Sequence, residues 1–85
     1  MTKMTKGEYR VGITFNPSGD DTVGQIKRMA ADLIDLIDTI PLPELSSVED
    51  AMYLDEVSRL KALAQYDIED GAMWAVKAAT KKAPK

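Results

Sequence analysis

The sequence predicts an all-α fold: an antiparallel helical hairpin with an extended N-terminal arm, within one domain spanning residues 1–85. Three observations carry the prediction. Val23, Ile26, Ala30, Leu33, Ile37 and Ile40 recur at spacings of 3, 4, 3, 4 and 3, a helical seam. Pro41-Leu-Pro43 breaks that pattern, because proline lacks an amide proton and disfavours helical geometry in the residue before it. Residues 46–80 then carry a second helical stripe with no breaker except Gly71.

The arm is residues 1–19. Tyr9-Arg-Val-Gly-Ile-Thr-Phe15 shows partial alternation and β-branched residues, which suits extended chain or a short strand. Asn16-Pro-Ser-Gly19 has the chemistry of a turn. One strand cannot make a stable sheet, so the arm should lie on something else.

The first helix is expected at 20–40. Ser18 is its candidate cap, and Asp20 and Asp21 suit the positive end of its dipole. Met29, Ile34 and Leu36 widen the seam.

The second helix is expected at 46–80, opened by a capping box in Ser46-Ser-Val-Glu49. Its stripe is Val57, Leu60, Ala64, Ile68, Ala72, Ala75 and Ala79, with Leu63, Met73 and Val76 beside it. At ~1.5 Å per residue the two helices are about 30 and 50 Å long. The longer must overhang, bend, or pack its C-terminal half on another chain. Gly71 costs roughly 1 kcal/mol against alanine in an exposed helix, so a close crossing or a bend is expected there. Tyr53 and Tyr66 should flank the packed stripe, and Trp74 should anchor a helix–helix contact. Residues 81–85 form a tail.

A chain of 85 residues, 45% hydrophobic and 29% charged, is globular but has little room for a core of its own. It has no cysteine and no histidine, so disulfides, thiolate metal sites, the common zinc sets and the Ser-His-Asp triad are excluded. Self-association is the support that remains. No apolar run reaches the ~20 residues of a membrane helix, and no hydrophobic stretch follows the N-terminal lysines. A soluble, cytoplasmic protein is expected.

The net charge of −3 is segregated. Residues 29–58 hold no lysine or arginine but eight acids: Asp32, Asp35, Asp38, Glu44, Glu49, Asp50, Asp55 and Glu56. Both flanking segments are net basic. A hairpin would bring the basic segments to one end, where they attract a small anion while the acidic end repels long nucleic acid. Neither DNA nor a membrane is expected as a partner. Solubility alone explains the same pattern.

Catalysis is poorly supported. Asp32, Asp35 and Asp38 are read as a solvated helix face, and Ser46 and Ser47 as caps without a base. No metal and no cofactor is expected. Binding is better supported. Tyr9 and Phe15 in the arm could stack on bases, and Arg10 and Lys27 could meet phosphate. Tyr9 and Phe15 could instead fill the seam, with Lys27 in water.

Phe15-Asn-Pro-Ser-Gly19, Val23-x-x-Ile-Lys27, Ala31-Asp-Leu-Ile-Asp35 and Glu69-x-x-Ala-Met-Trp-Ala-Val-Lys-Ala-x-Thr80, in that order, resemble the phage anti-CBASS sponge proteins. These share a helical hairpin with the phage anti-Thoeris sponges. The resemblance implies a homohexamer that binds cyclic dinucleotides such as 3'3'-cGAMP between protomers and leaves them intact. The messenger then never reaches its effector in the cytoplasm of the infected bacterium. Some members also hold cyclic trinucleotides at separate sites. The arm tyrosine that stacks on a base corresponds to Tyr9, with Phe15 as the alternative, and the lysine of the Ile-Lys pair corresponds to Lys27. Arg10, Asn16, Pro17 and Ser18 complete the candidate dinucleotide site. Arg59, Gln65 and Met29 are the candidates for a trinucleotide site. The alternative function is a small helical oligomeric adaptor or regulator whose seam binds a protein partner.

Overall fold

The computed structural model describes residues 3–44 and 48–84. Among these there is no strand, and three helices run in order: α1 (Lys6–Val11), α2 (Asp21–Asp38) and α3 (Val48–Ala79). The hairpin of α2 and α3 has the expected order and helix type. The expected cap at Ser46 lies outside the described residues.

The arm is not extended. Its centre is the short helix α1, begun by a capping box in which the Thr5 hydroxyl accepts from the Glu8 amide and the Glu8 carboxylate accepts from the Thr5 amide. Gly12 ends it in the left-handed conformation at φ 65°, where a side chain would be strained. Thr5-Lys6-Gly7-Glu8 carries the same capping-box pattern as Ser46–Glu49. The partial alternation of Tyr9–Phe15 obscured it.

The turn at Asn16–Gly19 forms as expected. The Gly19 amide donates to the Asn16 carbonyl, and the Asn16 side-chain amide donates to the Asp20 carbonyl. The cap of α2 is Asp20 rather than Ser18: Asp20 Oδ1 accepts the Thr22 amide at 2.7 Å. The Ser18 hydroxyl instead accepts the Asp20 amide and donates to Asn16.

The core is small: Val11 from α1, Ala30, Ala31 and Ile34 from α2, and Ala72 from α3, with Ile13, Ile26 and Ile68 packed against it. The buried sector of α2 is rotated from the expected seam. Val23 and Ala30 are buried, but so are Lys27, Ala31 and Ile34, while Leu33 and Ile40 are nearly half exposed. The cause is that α2 packs on two helices. α1 covers the side of α2 that carries Ala31 and Asp35, which adds that side to the sector facing α3.

Lys61 of α3 donates to the Asp38 and Ile40 carbonyls, and Val76 and Thr80 border a cleft with Val23. α3 is therefore paired from Val57, which lines a pocket with Ile37 and Ile40, through Val76, and the overhang is N-terminal, roughly two and a half turns preceding Val57. Gly71 marks no crossing, since a Cβ there would meet nothing within 4 Å. Trp74 is 66% exposed and stands about half a turn round α3 from buried Ala72, so it anchors no contact within one chain. Lys77 Nζ lies 5.4 Å from its ring centre.

Candidate functional site

The residues that follow α1 build a cleft against both long helices. Phe15, Asn16, Pro17 and Ser18 form one wall, Val23 and Lys27 of α2 the floor, and Val76 and Thr80 the other side, enclosing about 250 Å³. The turn holds the first wall, because its Asn16 and Ser18 side chains are both committed to local hydrogen bonds. Five of the seven candidate dinucleotide-site residues meet here.

Lys27 is not in water. It is 4% exposed, and its ammonium donates to the Gly12 carbonyl at 3.0 Å and to the Phe15 carbonyl. Nζ also lies 5.4 Å from the centre of the Phe15 ring. An ammonium has three hydrogens; two serve the arm, and Lys27 also lines the cleft. No orphaned buried side-chain donor or acceptor is found among the described residues.

Phe15 and Tyr9 do not fill the seam. Phe15 is 69% exposed at the cleft and Tyr9 is 78% exposed on α1, outside it. Arg10 also stands apart from the cleft. Its Nε donates to Glu69 at 2.7 Å, and its guanidinium lies 5.1 Å from the Tyr66 ring centre, which ties α1 to α3.

The carboxylates read as a solvated face are instead how α1 is docked. Asp35 Oδ1 accepts the Gly7 amide at 2.7 Å, and Asp38 accepts from Lys6 and from Gln65. Arg28 bridges Glu8 of α1 and Asp32 of α2. The Lys6 hydrogen bond, with Gln65 behind it, holds the Asp38 carboxyl below its ordinary range. The Thr5 amide, with Arg28 next, does the same for Glu8.

A carboxylate lowered by folding stabilises the folded chain at pH above its ordinary titration near 4 and ceases to do so as pH falls through the lower folded value. The thermal midpoint should therefore be flat from pH 7 to about pH 5 and fall below about pH 4. Protection of the Tyr9 and Ile13 amides should fall before that of α2. Calorimetry and amide exchange across that range measure both.

The trinucleotide candidates do not converge in one chain. Gln65 is buried and structural: it donates to the Ile34 carbonyl at 3.0 Å and accepts from Lys6. Arg59 is exposed and pairs with Glu56 on its own helix. Met29 is exposed near the middle of α2, on the order of 20 Å from the level of Arg59 at 1.5 Å per residue.

Among the described residues no cluster of acidic side chains could hold a metal ion, and no helix is long and apolar enough to cross a membrane. Residues 7–80 match the family model of the Acb2/Tad1 hairpin domain, which takes in the cleft, both long helices and nearly all of α1. No curated protein and no solved structure matches the chain.

Proposed function

The chain belongs to the Acb2/Tad1 hairpin family, and on that premise we propose that it is a phage anti-defence sponge. It binds cyclic oligonucleotide second messengers, cyclic dinucleotides such as 3'3'-cGAMP first among them, and withholds them from the CBASS effector without cleaving them. The observation that carries the reading is the cleft that gathers Phe15–Ser18 and Lys27. Phe15 stacks on a base, and the third ammonium hydrogen of Lys27 meets a phosphate oxygen. No residue nearby is a nucleophile with a base to activate it, so the ligand is held and not attacked.

Size argues that one chain supplies only part of a site. Pockets that bury a small ligand hold about 300–1,000 Å³, and this cleft encloses about 250 Å³. A second copy completes it, within a homo-oligomer that we take to be a hexamer. Tyr9, exposed on α1 outside this cleft, would then serve a copy's cleft rather than its own. A trinucleotide site built from Arg59, Gln65 and Met29 would likewise need several chains. The adaptor alternative draws on the same uncovered apolar surface but gives the cleft no role.

Calorimetry with 3'3'-cGAMP, followed by removal of protein and chromatography of the ligand, tests the reading. Intact nucleotide is expected. A linear product would mean a phosphodiesterase. Phe15→Ala should weaken binding by about 1–3 kcal/mol, roughly five- to 150-fold, through lost stacking. Wild-type affinity in both Phe15→Ala and Tyr9→Ala would move the pocket elsewhere.

A further inference from the structure

We propose that Asp35 and Lys27 are a positioning pair, two opposite charges on α2 that grip the two ends of α1 and thereby set where the exposed aromatics of the arm stand. They are separated by eight residues on α2, or about 12 Å. That matches the span of a six-residue helix with its caps.

The grip has polarity. The Gly7 amide is among the first N–H groups of α1, which have no partner within the helix. It donates to Asp35 Oδ1 at 2.7 Å. At the other end Gly12 turns its carbonyl to Lys27 Nζ at 3.0 Å, and the Phe15 carbonyl shares the same ammonium. A carboxylate thus meets the positive end of α1 and an ammonium its negative end. Reversing α1 would set carboxylate against carbonyl. The two charges therefore fix its direction, antiparallel to α2, and its register.

Little else does. Val11 is the only buried side chain of α1 with any bulk, and Gly7 offers none. The other polar links from α1 to the hairpin pass through Lys6 to Asp38 and Gln65, through Arg10 to Glu69 and the Tyr66 ring, and through Arg28 to Glu8. Lys6, Arg10 and Arg28 are long, partly exposed side chains, able to follow α1 through several poses and screened by salt. Lys27 and Asp35 instead reach main-chain atoms, which cannot swing. A lysine at 4% exposure gains nothing from burial by itself; here its ammonium is spent on holding two carbonyls. The bearing on ligand rests on the sponge reading: Tyr9 and Phe15 have almost no packing of their own, so their place follows that of the backbone Lys27 and Asp35 hold.

Amide exchange of the full chain without ligand tests the pair. In Asp35→Ala the Gly7 and Tyr9 amides should exchange about ten- to a hundredfold faster, and in Lys27→Met the Gly12, Ile13 and Phe15 amides likewise. Amides of the α2–α3 hairpin should hold their wild-type protection. Asp35→Asn, which keeps an acceptor oxygen in place, should restore most of the loss. Arm amides as protected as in wild type in both variants would overturn the proposal. So would loosening of the hairpin in step with the arm and no rescue by asparagine, since that is general destabilisation. Calorimetry with 3'3'-cGAMP separates the two readings. Wild type that binds nothing retires the sponge while the exchange result still decides the pair. Asp35→Ala that frees the arm yet binds as wild type ends the positioning role.

Discussion

Gly7→Ala should cost about 2–4 kcal/mol and lower the thermal midpoint by roughly 10–25 °C, an effect out of proportion to one methyl group. Gly7 is buried where α1 crosses α2, and a Cβ there would sit 2.1 Å from the Ala31 carbonyl oxygen and under 3 Å from the Ala31 carbonyl carbon and Cα. All three are backbone atoms of a helix interior and have no rotamer to escape into. The two helices must part. The Gly7–Asp35 hydrogen bond lengthens with them, and the Val11 contact with Ala31 and Ile34 opens. The loss is capped at what docking of α1 contributes, because the α2–α3 pairing does not depend on it. Circular dichroism should therefore keep most of its helical signal while the Tyr9 and Ile13 amides lose protection. Gly71→Ala is the control of opposite sign. With open space around it in the single chain, it should gain up to about 1 kcal/mol from helix propensity alone. Equal effects from the two substitutions would contradict the close crossing at Gly7.

The hairpin was legible because it rests on signals that sequence displays directly: a period near 3.6, a Pro-x-Pro break and an unbroken second stripe. The turn at Asn16–Gly19 was legible for the same reason. What stayed hidden is everything α1 does. Apart from Val11, its interface rests on a glycine, a lysine and a carboxylate, three residue types that hydrophobic periodicity scores as surface. Gly7 matters for the side chain it lacks, and Lys27 for a buried side chain whose ammonium reaches two carbonyls of the arm. Asp35 is spaced from Asp32 and Asp38 as if on a solvated face, yet it meets the Gly7 amide. The Thr5–Glu8 capping box was the one local sign of α1, and Gly12, four residues after Glu8, was its natural end. The site was legible in part. Residues 15–18 and Lys27 do share a cleft, but the two committed hydrogen bonds of Lys27 are a tertiary fact. Trp74, Gly71 and the overhang of α3 gave signals of packing that one chain leaves unanswered.

That unanswered packing leads to the last prediction: Leu33→Glu should leave the single chain folded and take the assembly apart. The chain measures 60 × 36 × 12 Å, and 12 Å is about the diameter of one helix with its side chains. It is a single layer, whereas stable domains bury their apolar faces between two. α1 relieves one side of α2 only. Met29, Leu33 and Leu36 on α2 and Leu60, Leu63 and Trp74 on α3 stay exposed, more apolar surface than a small monomer usually leaves uncovered. Leu33 is 44% exposed, so glutamate there keeps good helix propensity and a route to water in an isolated chain. In an assembly the same carboxylate is shut away from water without a partner, at a cost of several kcal/mol per interface. Each 1.4 kcal/mol is about tenfold in the association constant, and a closed ring of copies repeats the penalty at every contact. Sedimentation of wild type at micromolar concentration should give a multiple of 9.3 kDa, and Leu33→Glu a species of one chain with unchanged helix content. Trp74→Ala should weaken association in the same direction, by removing a large ring that is 66% exposed in the single chain. Wild type sedimenting at the mass of one chain would falsify the assembly. It would also leave the cleft, at about 250 Å³, with nothing to complete it.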